Sequence, residues 1–208
     1  MKKTMYSLTL SDDVMREVDM MAHMRGTNRS SLVNQILAEY VKVRTPEQRV
    51  NDIFNEIAGL MAATQLVPQV TAGAPSMALR SCLEFKYRPT VRYEVELSQP
   101  RGGVIGSLSV VYRTQSDELL SRLTGFFGIW TEVEKQLPFD VTYSLGDGRF
   151  TRSIRSDREL TTTQLAKVIS DYVRTFDKLL KAYVAGTASP ETIAGEYQAA
   201  LKNRGILI

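Results

Sequence analysis

The side chains that most often perform chemistry are scarce in this chain and poorly spaced for it. His23 is the single histidine and Cys82 the single cysteine in 208 residues. A structural or catalytic zinc site draws on three or four such ligands, so one chain holds no His/Cys metal site. A Ser–His–carboxylate set is implausible too, because the sole histidine belongs to an N-terminal helix. Glu94 and Glu96 share one face of an alternating strand, the pattern of solvated carboxylates rather than of an acid–base pair. Gly102-Gly103-Val104-Ile105-Gly106 is glycine-rich but lies between strands. No helix opens after it and no Lys-Ser/Thr step follows, so it reads as a hairpin turn and not a phosphate loop. Gly146-Asp147-Gly148 lacks the evenly spaced oxygen ligands of a calcium loop and also reads as a turn. His23 is expected as a partly exposed helix residue and Cys82 as a buried structural thiol. No catalytic residue, metal or cofactor is expected, and the chain is not expected to be an enzyme.

Two constellations of another kind remain. Arg149, Arg152, Arg155 and Arg158 lie on and after a hairpin near the middle of the second half. They either track phosphates or form a solubilising face balanced by Asp147, Asp157 and Glu159, and the second reading is preferred. The other constellation is the N-terminus. Tyr6, Leu8 and Leu10 alternate with Ser7 and Thr9, which places them on opposite sides of a strand, with Lys3 and Met5 sharing the polar phase. Ser11 is placed to cap a helix, and Asp12 and Asp13 follow at its positive end. Val14, Val18, Met21 and Ala22 then recur at helical spacing up to a stop at Gly26. Asn28 is a second cap, followed by a helical face of Leu32, Val33, Ile36, Leu37, Tyr40 and Val41. A lone strand has no partner here, and two thin helices cannot bury their apolar stripes alone. The economical solution is a two-fold dimer, with the strand paired antiparallel to its mate and four helices around a shared core made of Tyr6, Leu8 and Leu10.

Tyr6-Ser7-Leu8-Thr9-Leu10-Ser11, a helix ending at Gly26, and Thr27-Asn28-Arg29-Ser30-Ser31-Leu32 together resemble ribbon-helix-helix proteins of the CopG/Arc/MetJ type. The resemblance covers roughly the first fifth of the chain. It implies a ribbon lying in the major groove of double-stranded DNA, with Lys3, Met5, Ser7 and Thr9 at the reading positions. It also implies phosphate contact at the second helix, from Asn28, Arg29, Ser30 and Ser31. The match departs from the family pattern at those reading positions. Met5 cannot hydrogen-bond, and Ser7 and Thr9 are short, so specificity comes from cooperative binding and DNA shape, or the ribbon serves mainly to dimerise.

The rest of the chain is too long for that module alone, and a second domain is expected. The formal net charge of +3, from 26 Lys and Arg against 23 Asp and Glu, permits nucleic-acid binding without demanding it. One cysteine excludes a disulfide scaffold within the chain and points to a reducing compartment. No secretory leader and no membrane-spanning run is visible, so the expected location is the cytoplasm.

Residues 1–44 are read as the ribbon-helix-helix domain, 45–67 as a connecting helix, 68–78 as a linker rich in proline and small residues, and 79–208 as a second domain. In the second domain Cys82–Tyr87, Val91–Leu97 and Val104–Tyr112 read as strands. A helix follows from Ser116 to about Gln136, then a hairpin from Phe139 through Ile154. Long helices follow from Thr161 to Ala185 and from Ser189 to Gly205. The fold class is α+β, with an antiparallel sheet and helices on one face.

The expected function is that of a dimeric DNA-binding transcriptional repressor, assembling further on tandem sites. Its second domain would sense a small effector or meet a protein partner. The rival is an antitoxin-like or phage-encoded inhibitor that uses the N-terminal fold mainly to dimerise.

Overall fold

The computed structural model describes residues 4–71, 74–136, 140–156, 158–203 and 208, with only the backbone of Asn203. The chain divides into two compact units, one ending at Arg49 and one spanning Val50–Ile208.

The first unit is helical. Its first regular element is helix α1 (Asp12–Met24), not the expected strand. Residues 4–11 carry no secondary structure, for a simple reason: a strand exists through its ladder, and no other segment among the described residues pairs with them. Ser11 occupies the N-cap of α1 through its carbonyl, which accepts from the Met15 amide at 3.0 Å, but its side chain makes no cap bond. Gly26, at φ 61°, ends the α1 turn. Helix α2 (Arg29–Tyr40) starts as expected, with Asn28 Oδ1 accepting from the Ser31 amide at 2.9 Å. Only Val18, Ala22 and Leu32 form the buried cluster of these two helices, with Met21 and Val33 against it.

Helix α3 (Pro46–Met61) opens with a reciprocal cap. Gln48 donates its amide to Thr45 Oγ1, and the Thr45 amide returns a bond to Gln48 Oε1. The unit boundary falls inside this helix, after its first turn, and not at 68–78. Ile53, Phe54, Ile57 and Met61 are buried in the core of the second unit. The stretch read as a linker contains strand β1 (Val67–Val70) and the start of β2 (Ser76–Cys82). A proline obscures β1 in the sequence, yet Pro68 is tolerated because β1 is the first strand of the sheet and needs to donate on one side only.

Strands β3 (Thr90–Arg101) and β4 (Val104–Tyr112) form the central hairpin, and β5 (Tyr143–Gly146) and β6 (Arg149–Arg155) a second one. The order is β1-β2-β3-β4-β6-β5, antiparallel at each pairing. Both hairpins close on two residues with positive φ, Gly102 and Gly103 in one and Asp147 and Gly148 in the other. That sign at both central positions matches the twist of the flanking strands, so the central hairpin has a shorter loop than the sequence suggested. The expected strand Cys82–Tyr87 stops at Cys82, and Tyr87 and Arg88 adopt positive φ in the reversal that follows. Cys82 is exposed rather than buried, because it falls on the outer phase of β2.

Helices α4 (Asp117–Glu134), α5 (Thr162–Val184) and α6 (Pro190–Asn203) begin at the expected caps. Ser116 Oγ accepts from the Leu119 amide, and Thr161 pairs reciprocally with Gln164. Phe127 of α4 stacks on Phe150 of β6 with centroids 4.5 Å apart. Tyr93 of β3 donates to Asp177 of α5 at 3.0 Å. These contacts place α4 and α5 against the sheet face that carries Tyr93 and Phe150. Gly125 lets the helices close up, since a Cβ there would lie 2.9 Å from the Tyr183 hydroxyl of α5. The expected end of the last helix at Gly205 and the strand start at Phe139 lie outside the described residues.

Gly106 sits where β4 changes register, and a Cβ there would lie 2.1 Å from the Glu96 carbonyl oxygen of β3. Backbone cannot yield as a side chain can. Gly106→Ala is therefore expected to destabilise the second unit by roughly 1–3 kcal/mol in urea denaturation, the usual cost of overpacking.

Candidate functional site

Two surfaces and one buried cluster hold the polar groups that could act, and each lies within a single unit. In the first unit, Tyr6, Leu8 and Leu10, the expected dimer core, are 82%, 65% and 44% exposed. Met5 is exposed as well, with Ser7 and Thr9 alongside, and Lys3 lies outside the described residues. Among the described residues, no backbone hydrogen bond engages 4–10. Of the expected phosphate contacts, Ser31 has its amide occupied by Asn28, which leaves the first-turn amides of Arg29 and Ser30. The Arg29 guanidinium grips Asp19 of α1 with two hydrogen bonds, one of them 2.6 Å from Nε to Oδ1. That side-chain bond holds the Asp19 carboxyl below its ordinary range and raises Arg29. Both side chains are well exposed, so the pair contributes little to stability.

The arginine cluster of the second unit is divided by the strand that carries it. Arg152 points with Phe150 and Ile154 into the core, whereas Arg149 is exposed on the opposite face. Arg152 and Glu134 are 1% and 0% exposed and pair at 2.9 Å from Nε to Oε2. The same oxygen accepts from Tyr143 at 2.7 Å. Oε1 accepts from Tyr172 at 2.9 Å and from Tyr197. Trp130 Nε1 donates to the Tyr172 hydroxyl at 2.8 Å, and Arg152 reaches the Ile208 carbonyl oxygen at 2.6 Å. Burial foremost, with the Glu134 carboxylate adding to it, pushes the three tyrosines far above their ordinary range, so they remain donors. Burial works against the charge on Arg152, but the Glu134 carboxylate paired with it outweighs that and holds the guanidinium protonated. The sequence carried a signal for this cluster. Glu134 continues the Leu123, Phe127, Trp130 phase of α4, and Arg152 the Phe150, Ile154 phase of β6.

The other face of the sheet is open and polar. Arg80, Arg92, Val111 and Arg149 are successive cross-strand neighbours, so three arginines fall in one row. Glu94 bridges two of them, to Arg92 at 2.7 Å and to Arg149 at 2.9 Å. Ser109 and Thr151 share a hydrogen bond of 2.9 Å in the adjacent row. Beside the arginines lies a concavity of about 310 Å³, whose lining includes Ser76, Glu96 and Ser107.

The chain matches no family model, no curated protein and no solved structure.

Among the described residues, no group of three His, Cys, Asp or Glu side chains could hold a metal ion, and no helix is long and apolar enough to cross a membrane. Glu134 and Arg152 are shielded from solvent, so the cluster organises the fold. Arg152→Ala would strand the Glu134 carboxylate without its cation. A loss of about 3–5 kcal/mol is expected in equilibrium unfolding, with a smaller loss in the Glu134→Gln/Arg152→Met double variant.

Proposed function

We propose that the protein is a dimeric DNA-binding regulator, in which residues 3–10 of two copies pair as an antiparallel ribbon and present Lys3, Met5, Ser7 and Thr9 to the major groove. The exposure of Tyr6, Leu8 and Leu10 carries this reading. Among the described residues, twelve of the seventeen exposed large hydrophobic side chains lie between Met5 and Val43. A buried cluster of Val18, Ala22 and Leu32 cannot offset the ordering entropy of such a unit, whereas a second copy would cover the apolar phase of the ribbon and the faces of α1 and α2 together. The first-turn amides at Arg29 and Ser30 would then face a phosphate. The second unit would serve regulation. A rival reading, a protein-interaction inhibitor that dimerises through the same segment, draws on Met5 at a reading position and on the Arg29 guanidinium already engaged by Asp19.

Sedimentation of the full chain should give a dimer, and Leu8→Ser should shift it to monomer. In mobility-shift titrations on its own promoter region, Arg29→Ala should weaken binding across sequences and lower the salt slope by about 1. Asp19→Asn should tighten binding by freeing Arg29. A monomeric wild-type chain, or DNA affinity indifferent to both substitutions, would exclude the regulator reading.

A further inference from the structure

We propose that the open face of the sheet binds a small phosphorylated polyol, such as a sugar phosphate, with its phosphate on the arginine row and its hydroxyls along the serine-lined concavity. The inference goes beyond DNA binding and does not rest on it, since every residue involved belongs to the second unit. A polar outer face alone would not carry it, because antiparallel sheets commonly leave one face to water. The charge pattern does. Arg80 and Arg92 are direct cross-strand partners, an arrangement that like charges make unfavourable. Arg149 extends the row two strands further, roughly 10 Å from Arg92 at the usual strand spacing. Glu94 is shared between Arg92 and Arg149, and Arg80 has no ion pair among the described residues. The row thus carries an excess of guanidinium that the fold itself does not use.

The anion that fits is small and doubly charged. Guanidinium groups bind phosphate through paired N–H donors, and the long arms of neighbouring arginines can converge on one such group. The concavity beside the row, about 310 Å³, is of ligand size but carries hydroxyls where most ligand sites are apolar. Ser107 and Ser109 line it between the arginines and Glu96, whose carboxylate accepts hydroxyl donors at the far end. No aromatic ring lines it among the described residues, so a nucleobase would find nothing to stack on. That combination selects a phosphate ester of a polyol over a nucleotide.

Calorimetric titration of the full chain with glycerol 3-phosphate and glucose 6-phosphate tests this, with glucose, inorganic phosphate and AMP as comparisons. At least one of the two esters is expected to bind roughly tenfold more tightly than inorganic phosphate or AMP, with glucose inert. Arg80→Gln and Arg92→Gln should each weaken that binding by about tenfold. Arg80→Gln should not lower Tm, because it relieves the like-charge pair without breaking an ion pair; a merely structural arginine would show the reverse. Absence of ester binding at millimolar concentration, equal binding of inorganic phosphate or AMP, or affinity unchanged in both variants would overturn the proposal.

Discussion

The second unit is organised around one carboxylate. Glu134 sits at the end of α4 with both oxygens saturated, accepting from Tyr143, Arg152, Tyr172 and Tyr197. Those donors come from β5, β6, α5 and α6, so five elements meet at a single buried side chain. Removing a carboxylate and a guanidinium from water costs several kcal/mol for each ion, and apolar residues of similar size would often serve stability as well. What the apolar alternative lacks is direction. Hydrogen bonds fix where each tyrosine must stand, and a low local dielectric penalises every arrangement that leaves one of these groups unpaired. Arg152 also lies 4.5 Å over the Tyr172 ring, so its charge is met by a π face as well as by the carboxylate. Ringed by Trp130, Tyr172 and Tyr197, the pair sets the mutual placement of the helices on the sheet.

The two units answer the burial problem differently. The second gathers the apolar residues of α3 to α6 and of the inner sheet face into one continuous core. The first leaves Tyr6, Leu8, Ile36, Leu37 and Tyr40 in water and holds itself on Val18, Ala22 and Leu32. Short-range rules were satisfied in both, as the Asn28 cap in the first unit and the Ser116 cap in the second show. The contrast therefore comes from tertiary partners, not from local propensity.

Much of the fold was legible because it rests on local chemistry. The α4, α5 and α6 caps, the β3 and β4 alternation and the Asp147-Gly148 turn all follow from residue type and period. What escaped depends on partners distant in sequence. β1 was hidden by Pro68 and by its length of four residues, and only its ladder to β2 makes it a strand. The N-terminal alternation is the converse case, a strand-like pattern with no ladder among the described residues. Spacing alone groups Arg152 with its neighbouring arginines. The strand phase separates it from Arg149, but the carboxylate that makes its burial tolerable lies eighteen residues away on another element. The arginine row of the open face was likewise invisible, since register between β2, β3, β4 and β6 is needed to align Arg80, Arg92 and Arg149.

The two outermost strands carry a consequence for assembly. β1 is four residues long and includes Pro68, which has no N–H to donate, and β5 is also four residues long. Short margins of this kind resist recruitment of a foreign strand and so protect the sheet from fibrous growth. Because backbone pairing at either margin is disfavoured, a ligand or partner of this sheet would have to be met by side chains, which can change by substitution without disturbing the ladder beneath.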